Sequence, residues 1–228
     1  MTYFLLEGGA EFGGRMSEPD LRAIELAGGS QASIAILPTA AAPDHNQLRA
    51  GSNGRRWFES LGASHVDVVP VIDKQSADNP DSVMRVATAR LIYLLGGFPR
   101  YLCETLRDSR VWLAALEAHR SGAVIAGSSA GAMILCEHYY DPYEGKLLQG
   151  LNLLENICIL PHHNRFGKGW ASKLRSSIPQ ATLLGIDEQT GIINDASNGA
   201  WTVYGAGVVT LYLGKQIDVH ARGEQLHL

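Results

Sequence analysis

Through the first 136 residues, short β-branched or leucine-rich runs alternate with longer stretches of helical period. That alternation commits the chain to a mostly parallel sheet. A parallel neighbour is reached only through a crossover long enough to lay a helix on one face of the sheet. Strands are expected at residues 3–6, 33–37, 65–71, 91–95 and 123–126, with helices at 17–27, 45–61, 80–89 and 99–121. All but the third strand run into loops rich in Gly, Pro or small residues, as chains do where sites form beyond the carboxyl ends of parallel strands. After residue 137 the rhythm changes. A polar excursion at 138–145 reads as a hairpin or loop, and the runs 190–193, 201–204, 207–213 and 217–219 are short and separated by Asn, Asp and Gly turns. The expected fold is therefore α/β, a three-layer sandwich with a largely parallel sheet, helices on both faces and an antiparallel C-terminal extension at the sheet edge.

With 228 residues, 46% of them hydrophobic and 18% charged, the sequence has the means to bury one large core, and it is read as one domain over 1–228. A net charge of -4 gives no basic field to attract phosphate backbones, so nucleic acid is not an expected partner. Cys103, Cys136 and Cys158 are odd in number, widely spaced and set in apolar stretches, where a thiol behaves as a small hydrophobe rather than as half of a disulfide or a zinc ligand. The N-terminal run has no basic region and is too short for a signal peptide or a membrane span, so a cytoplasmic location is expected.

Chemistry concentrates in three segments. Val124-Ile125-Ala126, then Gly127-Ser128-Ser129-Ala130-Gly131, then Ala132-Met133-Ile134-Leu135 is a GxSxG motif in a strand, turn, helix setting. Such a turn projects the central Oγ from the top of a sheet, although a glycine-rich turn that binds phosphate or merely packs has the same appearance. A serine hydroxyl needs a base to take its proton and a third group to orient that base. Of the eight histidines, His162 and His163 stand apart, because they follow the apolar strand Ile157-Cys158-Ile159-Leu160 through Pro161, at a strand end. Two adjacent histidines suit a metal as well, but no Cys or carboxylate stands near them at ligand spacing, and no metal is expected. The third segment is Leu183-Leu184-Gly185-Ile186-Asp187-Glu188-Gln189-Thr190, with two acids at the end of an apolar strand, one of which is expected to point inward.

In order and spacing, Gly127-Ser128-Ser129-Ala130-Gly131-Ala132, Pro161-His162-His163-Asn164 and Gly185-Ile186-Asp187-Glu188-Gln189-Thr190 together resemble the aspartyl dipeptidase and cyanophycinase family of serine peptidases. Ile36-Leu37-Pro38-Thr39-Ala40 and Leu95-Gly96-Gly97 look like its strand ends, and the resemblance spans residues 3–212. It implies the sheet arrangement of class I glutamine amidotransferase-like and flavodoxin-like proteins. By position it also implies a Ser129, His162, Glu188 triad, with His163 one residue away as the alternative base. Backbone amides of Gly97 and Ala130 match the family's oxyanion hole, where fixed N–H donors contribute ~3 kcal/mol each. No cofactor is implied, and the partner is a small peptide, with a homodimer among the arrangements the family adopts. The chain departs from the family after the double glycine, where Phe98 and Pro99 replace a polar pair. That removes a polar substrate contact, and leaves Phe98 as a more apolar pocket element and Arg165 or Lys168 as the cation for an acidic substrate group.

Other readings use the same residues differently. An α/β-hydrolase esterase would take the order Ser129, Asp187, His220. A glutamine amidotransferase would need cysteine at position 129. A non-catalytic member of the scaffold would bind a peptide or small ligand in the same pocket.

Overall fold

Every residue of β4 (Leu91–Leu94) is buried, and the four alternate between two apolar neighbourhoods. Leu91 and Tyr93 pack with Ala23, Ile24 and Phe58, whereas Ile92 and Leu94 pack with Val86, Leu102, Leu106 and Trp112. A strand apolar on both faces has to be covered on both. The helices that do so are α1 (Ser17–Leu26) and α2 (Gln47–Ser60) on one side, and α4 (Pro80–Ala87), α5 (Pro99–Leu106) and α6 (Arg110–Arg120) on the other, with a single-turn α3 (Lys74–Ala77) preceding α4. This is the expected three-layer α/β arrangement, here in a computed structural model that describes residues 2–228. Residue 1 of the expected N-terminal run and of the expected 1–228 domain lies outside those residues.

The parallel part of the main sheet comprises β1 (Phe4–Glu7), β2 (Ser33–Leu37), β3 (His65–Val68), β4 and β5 (Val124–Ser128). Three antiparallel strands, β10 (Thr190–Ile193), β11 (Trp201–Gly205) and β14 (Gln225–Leu226), extend it beyond β1, giving the order β14-β11-β10-β1-β5-β4-β2-β3. The polar excursion forms a hairpin of β6 (His138–Asp141) and β7 (Lys146–Gln149).

The structure differs from the sequence expectation in two places. First, the tail does not all join the main sheet. A second sheet, ordered β13-β12-β9-β8, is built from β8 (Ile157–Pro161) and β9 (Thr182–Ile186), which run parallel, together with β12 (Val208–Leu213) and β13 (Gln216–Ala221). Its parallel pair is joined by a crossover carrying α8 (Ala171–Ser177), whose Ala171 and Leu174 pack with Cys158, Leu160, Leu183 and Tyr212. Second, the helix expected over 99–121 is two helices. Asp108 takes a left-handed conformation, with φ of 59°, and the Ser109 hydroxyl accepts the Trp112 N–H to cap α6. The three cysteines are free and buried. Among the described residues no helix is long and apolar enough to cross a membrane.

Candidate active site

The carboxyl ends of β1, β4, β5, β8 and β9 converge on one corner, and each delivers one piece of the site. At the end of β5 the chain turns sharply into α7 (Ala130–Met133), leaving Ser129 with φ 48° and ψ −111°. A side chain held in such a conformation costs about 1–3 kcal/mol and persists only where the surroundings fix it. Here the Ser129 N–H bonds to the Glu7 carbonyl at 3.0 Å, while its own carbonyl accepts the Met133 N–H at 2.9 Å and so opens α7.

His162 follows β8, and its Nε2 lies 2.7 Å from Ser129 Oγ. Its other ring nitrogen, Nδ1, lies 3.1 Å from Oε1 of Glu188, which follows β9. The second carboxylate oxygen of Glu188 accepts from Arg165 Nε at 3.2 Å, and the Glu188 N–H bonds to Asn164 Oδ1 at 3.1 Å. The hydrogen bond from His162 holds the Glu188 carboxyl below its ordinary range, with the charges of Arg165 and His162 adding to the effect against the partial desolvation that opposes it. Phe166 stacks on the His162 ring, centroids 4.9 Å apart.

Space for that ring exists because position 9 is glycine. A Cβ there would fall 2.2 Å from His162 Cε1, and the residue has φ of 112°. Gly97 is likewise a position where only glycine fits, with φ of 141° and a notional Cβ 2.3 Å from the Ala40 carbonyl oxygen. The Gly96-Gly97 loop lies against the nucleophile, since a Cβ on Gly96 would be 3.3 Å from Ser129 Cβ. It is the Phe98 N–H, not that of Gly97, that bonds to the Ala40 carbonyl, at 2.9 Å. Ala130 opens α7, where an N–H has no acceptor within the helix.

The structure thus brings Ser129, His162 and Glu188 together and sets Gly97 and Ala130 at the same corner. Arg165 is engaged with Glu188, and Phe98 stacks on Tyr143 with centroids 4.7 Å apart. His163 turns the other way and bonds Tyr212 through Nε2 at 2.7 Å. The Ser129, Asp187, His220 order is not assembled: Asp187 faces His163, and His220 lies on β13, at the edge of the smaller sheet, paired with Val209 of β12. Glu11 was missed by sequence reasoning, since no motif marks it. Its Oε2 accepts from Ser128 Oγ at 2.9 Å, and its Oε1 lies 3.1 Å from the notional Gly96 Cβ.

Beneath the nucleophile, Glu7 and Asp20 are fully buried. The Tyr93 hydroxyl donates to Glu7, and Trp57 Nε1 donates to Asp20 Oδ2 at 2.7 Å, while Glu7 Oε1 and Asp20 Oδ1 have no donor. Burial pushes the Glu7 carboxyl well up, with the Asp20 charge adding to it, and burial pushes Asp20 up to about 7. Folded values raised above the unfolded ones mean a stabilising contribution present at low pH and lost as pH rises past about 4 and through the folded values. The midpoint of thermal unfolding is therefore expected to fall as pH rises from about 4 to about 7, and to fall less in Glu7→Gln, whose amide needs no proton. Calorimetry across that range checks this. An unchanged slope in the variant would rule the pair out as its source.

A family model for Peptidase family S51 matches residues 4–198, most of the chain. The chain belongs to peptidase family S51. Among S51-related proteins, the cyanophycinase of Nostoc sp. is 27% identical over 196 residues, covering 81% of this chain and 64% of that protein. This S51 chain thus spans just under two thirds of that relative. The cyanophycinase of Geminocystis herdmanii is 26% identical over 231 residues, covering 96% and 84% of the respective chains. The crystal structure of a peptidase from an acI-B1 actinobacterium superposes with a TM-score of 0.88 at 30% identity, covering 100% of this chain and 97% of that one. A putative peptidase E from Listeria monocytogenes shares the fold, with a TM-score of 0.60 at 18% identity.

Proposed function

We propose that this S51 chain is a serine peptidase hydrolysing small peptides, of the dipeptidase or cyanophycinase-like kind, through an acyl-enzyme on Ser129. What carries the reading is the unbroken path from Ser129 Oγ through the two ring nitrogens of His162 to Glu188, at 2.7 Å and 3.1 Å. A carboxylate can only accept, so Glu188 fixes the proton on Nδ1 and leaves Nε2 free as a base. His162 Nε2 takes the serine proton as Oγ attacks the peptide carbonyl, and the resulting imidazolium is stabilised by Glu188. The oxyanion is met by the N–H groups of Gly97 and Ala130. His162 then returns the proton to the leaving amine, and water resolves the acyl-enzyme by the same steps. This chemistry is complete in protein groups and calls for no metal or cofactor.

Phe98 stacked on Tyr143 provides an apolar wall in place of the polar contact that follows the double glycine in the family the sequence resembles. Arg165, already bonded to Glu188, serves the triad's acid before it serves a substrate carboxylate. The substrate is therefore expected to be read through an apolar surface more than through a dedicated cation. The setting proposed is the cytoplasm, as a monomer or homodimer. Hydrolysis of a dipeptide library by the purified chain, with Ser129→Ala as control, tests the reading. Turnover of at least one dipeptide class that disappears in the variant is expected, and equal turnover by both proteins would refute it.

A further inference from the structure

The segment that carries His162 carries a second histidine, and the two acids after β9 divide between them. His162 pairs with Glu188 and His163 with Asp187, whose Oδ1 lies 3.5 Å from His163 Nδ1. His163, Asp187 and Tyr212 are buried, at 6%, 7% and 5% exposure. Asp187 is acceptor-only on the side facing His163 and takes the Val208 N–H on its other oxygen at 3.1 Å. That places the His163 proton on Nδ1, so Nε2 accepts from the Tyr212 hydroxyl at 2.7 Å. Burial lowers the affinity of His163 for a second proton and keeps the ring in this neutral form. The pocket is shaped for an imidazole, because a Cβ at Gly185 would strike the His163 ring at 2.4 Å.

Next to this network the backbone of His162 is strained. Its φ is 117°, a region that side-chain-bearing residues rarely enter. The His162 carbonyl is bonded by the N–H groups of Arg165 at 3.0 Å and Phe166 at 3.2 Å, which fixes the chain on its far side. On the near side the His163 N–H bonds to the Ile186 carbonyl at 3.1 Å, and the His163 ring ties the peptide to β9 and β12. Rotation about the His162 N–Cα bond would return φ to an ordinary value and swing the imidazole off Ser129, but it would also pull the following peptide and the His163 ring from their partners.

We infer that His163 is a positioning residue, whose bonds to Tyr212 and Asp187 lock the strained backbone of His162 and so aim its imidazole at Ser129. The inference deepens the peptidase reading and rests on it for its kinetic consequence. It also makes sense of the paired residues: the partly exposed histidine and acid beside Ser129 do the chemistry, and the buried pair hold them in register.

The test compares His163→Phe, which fills the pocket without hydrogen bonds, with His163→Asn, whose amide can still donate to Asp187. The readouts are the downfield proton resonance of the His162 N–H bonded to Glu188, assigned by its loss in Glu188→Gln, and the rate of Ser129 labelling by a fluorophosphonate. His163→Phe is expected to lose or shift the resonance and to slow labelling by about 10–100-fold, with kcat falling in parallel and KM nearly unchanged. His163→Asn should restore most of both. An unaltered resonance and labelling rate in folded His163→Phe, even with a lowered melting temperature, would overturn the inference. If that variant fails to fold, Tyr212→Phe, which removes one hydroxyl, is judged by the same two readouts. Absence of labelling in the wild-type protein would instead sink the peptidase reading, and the resonance alone would still decide the role of His163.

Discussion

Glu188→Gln is expected to lower kcat/KM by about 10³–10⁴-fold while the melting temperature hardly moves. An amide can present its NH2 to His162 Nδ1, which drives the ring proton to Nε2 and leaves no lone pair for the serine hydroxyl. The side chain stays the same size, its backbone N–H keeps its bond to Asn164, and it is partly open to water, so the fold has little to lose. Asp187→Asn should cost much less, because Asp187 faces His163 and the Val208 amide rather than the base. Steady-state kinetics on the two variants check this. A larger loss from Asp187→Asn would mean that the orienting acid is misassigned.

Gly9→Ala should also be strongly damaging, although residue 9 carries no chemistry. The added methyl would sit 2.2 Å from His162 Cε1 and 2.6 Å from Nε2, and the backbone at φ 112° disfavours any side chain. The imidazole has to move, and displacement of a base by about 1 Å costs on the order of 10²-fold in rate. Gly13→Ala is the matched control, since Gly13 is extended and a Cβ there meets nothing within 4 Å. A loss of kcat in Gly9→Ala alone, with both variants folded by circular dichroism, is the expected result. Full activity in Gly9→Ala would show that the ring does not need its observed place.

The parts of this site that were legible in the sequence are those whose signal is local. The β5 turn carries its own small residues, β2 was bounded at 33–37 by its apolar run, and the order of serine, histidine and acid was visible as three strand ends. Strand pairing was not legible. The run at 157–160 reads as one more apolar strand, yet it pairs with β9 in a separate sheet, because a buried apolar strand does not specify which parallel neighbour its crossover will reach. The break between α5 and α6 did have a marker, Ser109 as a cap, which the continuous helical period overrode. The bonds from Glu11 to Ser128 and from His163 to Tyr212 reach across more than 45 residues of sequence, and nothing near either residue encodes them.

The central claim is that Ser129 is a nucleophile made reactive by His162. Its most direct test is the intact mass of the protein after exposure to a fluorophosphonate, followed by peptide mapping of the adduct. A single adduct on the peptide containing Ser129, formed by the wild type and lost in His162→Ala, is the expected result. A folded wild-type protein that stays unlabelled, or an adduct that forms just as fast without His162, would contradict it.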